Sequence, residues 1–219
     1  VKKVSKNFKE GLKNQLKIIR YPSIWILGLA SATMYVTRYA INSWGVLYLQ
    51  EGRGYSLIEA GGLVGLNTFT GIIGCVAYGY ISDKYFGARR PPVTLMFGIA
   101  EIGSLFLIFY GPQSTLVLTI AFIIYGFSLS GLLAVLGGLF AIDIAPKNIT
   151  GAAMGFIGLF SYIGAAIQEK VSSVLIKSTQ LDANSEIIYD FDSVIIFWMS
   201  ASVISFFLSL SLWNHKIKD

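Results

Sequence analysis

Apolar residues along this chain fall in long blocks rather than alternating, at residues 23–48, 58–81, 93–110, 116–142, 151–176 and 194–213. Most approach or exceed the ~20 residues an α-helix needs to cross a hydrocarbon core about 30 Å thick. In lipid the backbone must satisfy its own polar groups, and these blocks are too long for barrel strands. The pattern therefore predicts an all-α, polytopic membrane protein with six transmembrane helices and short loops. A basic arm (1–22), a six-helix bundle (23–213) and a short tail (214–219) complete the expected organisation.

Composition agrees. Hydrophobic residues make up 54% of the chain and charged ones 13%, about half the share in a soluble domain. The charges are also sorted. Lys2, Lys3, Lys6, Lys9, Lys13, Lys17 and Arg20 lie in the arm, Lys84, Arg89 and Arg90 after the second block, Lys147 after the fourth, and Lys216 and Lys218 in the tail. The other side carries Arg53, Lys177 and an acidic loop with Asp182, Glu186, Asp190 and Asp192. The positive-inside rule then puts both termini in the cytoplasm, as an even helix count requires. The net charge of +5 reflects this asymmetry and calls for no nucleic-acid partner.

In the arm, Val4, Phe8, Leu12 and Leu16 recur every fourth residue among lysines, giving one apolar helical face. Such a segment can lie on an anionic leaflet; a solvated linker helix accounts for it equally well. Pro22 suits the first turn of the first spanning helix. No cleavable signal peptide is visible, and the initial Val1 raises the expectation of a segment upstream. Cys75 is the only cysteine and His215 the only histidine, so neither an internal disulfide nor a metal site is expected. No cofactor is expected either. The chain shows no Ser/His/Asp constellation and no phosphate-cradling loop, so enzyme chemistry finds no support.

The second and fifth blocks share glycines at one offset: Gly61 with Gly151, Gly65 with Gly155, Gly74 with Gly164. A three-plus-three inverted repeat leaves this trace. The small-xxx-small pairs Gly61–Gly65 and Gly151–Gly155 equally predict close helix packing.

Charges inside the blocks point to chemistry. Arg38 lies deep in the first helix, where burial costs at least ~2.5 kcal/mol. Ser31, Tyr35, Arg38, Asn42 and Gly45 share one helical face, a polar stripe expected to line a cavity. A salt bridge to Glu101 in the third helix is the structural alternative. In the fifth helix stand Gln168, Glu169 and Lys170. Adjacent residues do not pair face to face, so one of the two charges can reach the cavity, or both can sit at the rim in water. A guanidinium in a wet cavity selects an anion, since its planar fork matches phosphate or carboxylate. A second cation such as Lys170 favours phosphate.

The stretch GYISDKYFGARRPP carries Gly79, Asp83, Lys84, Gly87, Arg89 and Arg90 in the order G-x-x-x-D-K-x-x-G-x-R-R. It resembles the cytoplasmic gating-loop signature of the major facilitator superfamily, with a tight turn at Gly87 and Asp83 free to meet a basic partner or cap a helix. YVTRYAINSWGVLYLQEGRGYS and AIDIAPKNITGAAMGFIGLFSYIGAA resemble the seventh helix and the entry to the eleventh helix of the organophosphate:phosphate antiporters. The resemblance implies the C-terminal six-helix half of a twelve-helix bacterial inner-membrane transporter, with the arm as the linker from a missing N-terminal half. It implies exchange of an organophosphate, such as a hexose 6-phosphate or glycerol 3-phosphate, for inorganic phosphate by alternating access. Arg38 falls where the second half supplies its phosphate-binding arginine, Lys170 where hexose-phosphate members can carry a lysine, and Tyr125 where the family has a cavity tyrosine. Tyr35 and Asn42 join them as expected substrate contacts. The same pocket also fits a sugar-phosphate sensor that signals to a membrane kinase without transport. A proton-coupled carrier using Glu101 is a third reading.

Overall fold

The computed structural model describes residues 16–181 and 186–213. The expectations for Val4, Phe8 and Leu12 of the arm, for Asp182, and for His215, Lys216 and Lys218 of the tail lie outside the described residues. Among the described residues six helices are long and apolar enough to cross a membrane: α1 (Pro22–Gly52), α2 (Leu57–Phe86), α3 (Arg90–Tyr110), α4 (Thr115–Ile144), α5 (Thr150–Leu175) and α6 (Asp192–Ser211). The protein is a multi-pass membrane protein.

Local sequence fixes the helix ends. Pro22 opens α1, where its missing N–H leaves no donor unsatisfied. Ser56 and Glu59 form a reciprocal capping box at the start of α2. Gly87 ends α2 at φ 57°, in the left-handed region that glycine adopts without a Cβ clash. Ala88 follows at φ 63°. Pro91 and Pro92 then suit the first turn of α3. One expectation needs correcting here. Helix α2 runs on to Phe86, so Gly79, Asp83 and Lys84 belong to its last turns and not to a loop. The connection itself is only Gly87–Arg89, because nothing between 81 and 86 breaks the helix.

A second correction concerns the acidic loop after α5. Strands β1 (Lys177–Leu181) and β2 (Glu186–Asp190) pair there as an antiparallel hairpin, with Lys177 opposite Asp190. Among the described residues the regular structure is otherwise all helical.

Packing follows a mirrored pattern. Helix α2 packs chiefly on α4, and α5 chiefly on α1. These are equivalent pairs if each triplet of helices repeats the other with inverted topology. The shared glycines divide accordingly. A Cβ on Gly74 would collide with the Phe127 backbone of α4, and one on Gly164 with the Ala32 carbonyl of α1. A Cβ on Gly61, Gly65, Gly151 or Gly155 would meet nothing within 4 Å outside its own helix. The small-xxx-small pairs therefore do not pack within this bundle, contrary to expectation; they stand on open faces of its two least buried helices.

Buried serines join the helices. Ser31 and Ser161 share a hydrogen bond of 2.7 Å, and Ser205 donates to the Ala30 carbonyl at 2.7 Å. Trp198, fully buried, donates through Nε1 to Ser172 at 2.9 Å. Among apolar surroundings such bonds resist separation, because a polar group left alone there is costly.

Candidate functional site

Arg38 comes to the surface of the bundle at a recess of about 420 Å³. Asn42 of α1, Asn67, Thr68 and Cys75 of α2, and Ser130 of α4 line it with Arg38. Among the described residues the ion pairs are those of Arg90, so no carboxylate neutralises Arg38. Its guanidinium carbon lies 5.4 Å from the Tyr35 ring centre and 5.8 Å from that of Tyr39. Tyr35 in turn meets the edge of Tyr162 on α5, with centroids 5.8 Å apart. Two aromatic faces thus hold the cation in place and leave its donors to the recess.

The alternative salt bridge to Glu101 is absent. Glu101 is 1% exposed, and its Oε2 accepts from Ser202 of α6. Its Oε1 has no hydrogen-bond partner. This carboxyl belongs to the α3–α6 contact.

The expected stripe on α1 is therefore split by depth. Ser31 and Gly45 are buried in helix contacts, Tyr35 and Arg38 are half-buried, and Asn42 is exposed in the recess. Directly after Tyr39 the backbone widens to a π-helical turn over Ala40–Trp44. Helix α4, the counterpart of α1 in the other triplet, has one at Val135–Leu139. Such wide turns inside α-helices frequently mark functional sites.

Tyr125 and Lys170 lie elsewhere. Tyr125 is fully buried, and its hydroxyl donates to the Thr37 carbonyl at 3.0 Å, one residue before Arg38. Lys170 is exposed on α5 and does not line the recess. Its neighbour Glu169 accepts from Ser43 Oγ at 2.5 Å and from Trp44 Nε1 at 3.0 Å. The two charges of α5 thus point apart: Glu169 grips the π-helical turn of α1, and Lys170 is left outward.

At the far end of α2, Arg90 joins three elements. It donates to Asp83 at 3.4 Å, to Ser82 Oγ at 3.2 Å and to Asp143 of α4 at 3.1 Å. Asp83 thus meets a basic partner, one of the two roles expected of it. Lys84 donates to the Tyr80 hydroxyl, and Arg89 is exposed. This cluster ties the α2–α3 turn to α4.

The profile of the Major Facilitator Superfamily matches residues 2–168. The chain belongs to this superfamily. Its six helices are consistent with one half of a major facilitator fold, in which each half comprises two inverted three-helix repeats. Three relatives narrow the comparison. The "Membrane sensor protein UhpC" of Escherichia coli is 36% identical over 156 residues, 68% of this chain and 34% of that protein. The "Glycerol-3-phosphate transporter" of Bacillus subtilis is 34% identical over 144 residues, 65% of this chain and 32% of that protein. The "Probable hexose phosphate transport protein" of Chlamydia trachomatis is 36% identical over 147 residues, with the same coverage. The chain spans about one third of the length of these relatives. Their names describe transporters and a sensor, not enzymes.

Several residues of the site escaped the sequence. Asn67, Thr68 and Ser130 line the recess, and Tyr162 braces Tyr35, yet none is charged and all lie in predominantly apolar helices. Arg53 was read only as a loop charge. It instead donates to the Ile108, Phe109 and Gly111 carbonyls, capping the end of α3. Polar residues at mid-span, rather than charges alone, are the signal that would have found the first three.

Proposed function

We propose that this chain is one half of a secondary transporter that binds an organophosphate at Arg38 and exchanges it for inorganic phosphate. The observation that carries the reading is a guanidinium without a carboxylate partner, opening on a recess of a membrane bundle where Asn42, Asn67, Thr68 and Ser130 stand among apolar residues. The names of the relatives supply the substrate class. A hexose 6-phosphate or glycerol 3-phosphate would place its phosphoryl group on the Arg38 fork, a bidentate match that an ammonium does not provide. Tyr35 orients the guanidinium through its ring. Tyr125 acts indirectly, by holding the carbonyl of Thr37 and hence the turn that carries Arg38. Lys170 lies outside the recess and contributes only long-range attraction for the anion.

The bundle completes its cavity against a second six-helix half. The open glycine pairs of α2 and α5 are its natural contacts, because small residues let helix backbones approach closely. The Lys and Arg distribution supports an orientation with both termini on the cytoplasmic side, and the bacterial relatives support an inner membrane. There the Arg90–Asp83–Asp143 cluster would brace the gating turn. An empty cationic cavity closes poorly, while a bound phosphate neutralises it and permits rocking, which couples the two fluxes.

A sensor is the second reading, favoured by one observation: the sensor protein is as similar to this chain as the transporters are. Proteoliposomes carrying this chain with its complementary half, loaded with labelled phosphate, separate the two. Efflux driven by external glucose 6-phosphate or glycerol 3-phosphate, reduced at least tenfold by Arg38→Lys, is the transporter result. Ester binding without exchange is the sensor result. Exchange indifferent to Arg38→Lys would refute the role given to Arg38.

A further inference from the structure

One polar pair in the recess is not accounted for by phosphate binding. Asn67 of α2 is 5% exposed and donates through Nδ2 to Asn42 Oδ1 of α1 at 3.2 Å. A buried amide in an apolar helix is costly unless bonded, and this bond crosses between helices at the recess wall. We propose that Asn67 is a positioning residue, holding the Asn42 amide so that its NH2 faces the recess and reads a hydroxyl on the organic part of a phosphate ester.

The two asparagines stand on unequal supports. The backbone at Asn67 is clamped: a Cβ on Gly126 of α4 would collide with the Asn67 carbonyl, and Thr70 Oγ1 donates to that carbonyl at 3.2 Å. Asn42 stands in the π-helical turn Ala40–Trp44 with an exposed side chain. The rigid partner therefore orients the less constrained one. An amide has one acceptor oxygen and two N–H donors. With Oδ1 of Asn42 engaged by Asn67, the NH2 is the group it offers to a ligand.

Its place sets what it reads. Asn42 follows Arg38 by four residues and lines the same recess. A phosphoryl group on Arg38 leaves the hydroxyls further down its ester to meet the Asn42 wall of that recess. Inorganic phosphate has no group that reaches so far. A donor built to meet a substrate hydroxyl discriminates strongly, because an analogue without that hydroxyl leaves the donor unpaired. The pair thus sets the preference for a hydroxylated ester over phosphate, and this rests on the organophosphate reading of the recess.

The test measures displacement of labelled phosphate from the full-length protein by unlabelled phosphate, glycerol 3-phosphate and glucose 6-phosphate. The readout is the ratio of ester to phosphate affinity. Asn42→Leu and Asn67→Leu should each lower this ratio about tenfold, and the double variant no further, since both act through one amide. Residual phosphate binding reports a folded protein. If Asn67→Leu fails to fold, Asn42→Leu at its exposed position decides alone. An unchanged ratio, or a double variant whose losses multiply, overturns the proposal. A wild-type protein that binds neither phosphate nor ester refutes the organophosphate reading itself, a failure distinct from an unchanged ratio.

Discussion

Arg38 lies against two tyrosine rings and meets no carboxylate among the described residues. Placing an arginine at mid-span costs about 2.5–3.5 kcal/mol on insertion scales, and two cation–π contacts at about 0.5–2 kcal/mol each offset part or most of it. The rings bond none of the guanidinium N–H donors, however, and water or an anion in the recess is left to meet them. Glu101 is the opposite case. It is enclosed, and its bond to Ser202 joins α3 to α6. Removing that donor by Ser202→Ala leaves the carboxyl without its partner and should cost about 1–3 kcal/mol. Thermal unfolding in detergent measures it, and phosphate exchange at a permissive temperature should persist. A carrier that used Glu101 for proton coupling would instead lose pH-driven uptake in Glu101→Gln while keeping its stability.

At the scale of helices, the two deeper glycines hold the bundle together and the four outer ones do not. Gly74→Ala would drive a methyl group into the Phe127 backbone, and Gly164→Ala into the Ala32 carbonyl. Each should destabilise the bundle by about 1–3 kcal/mol, the range for overpacking a tight contact. Gly61→Ala and Gly151→Ala meet open space and should leave the stability of this bundle unchanged within error. A loss at Gly61 or Gly151 equal to that at Gly74 would contradict the division. This is also where sequence reading reached its limit. Six helices, the proline starts and the Gly87 stop were legible because hydrophobic length and backbone chemistry are local. That Gly74 packs while Gly61 stays open depends on the crossing point of α2 and α4, which no spacing reveals. The hairpin β1–β2 hid behind an acidic composition that reads as a loop. Arg38, Tyr35 and Asn42 were legible because a charge at mid-span is conspicuous and its helical face follows from periodicity. Asn67 was not, since its meaning depends on a partner 25 residues away. Tyr125 was placed by resemblance and Lys170 by its charge and by resemblance together, and neither charge nor resemblance fixes the direction of a side chain on its helix.

At the scale of the whole molecule, the bundle has the form of one repeat pair with an unpaired cavity wall. The matched relatives are about three times as long as the stretch they share with it. On the function proposed above, the open faces of α2 and α5 and the recess at Arg38 would be covered together, by a second six-helix half closing over a phosphorylated ligand. Cys75, the chain's single cysteine, is exposed and lines the same recess. Its alkylation therefore reports on occupancy. The decisive measurement is the rate of Cys75 alkylation in the full-length protein, followed by mass spectrometry with and without glucose 6-phosphate or inorganic phosphate. The account predicts that either ligand slows the reaction severalfold in the wild type and that Arg38→Lys abolishes the protection. A rate indifferent to both ligands in a folded wild-type protein would contradict the assignment of the Arg38 recess as the phosphate site.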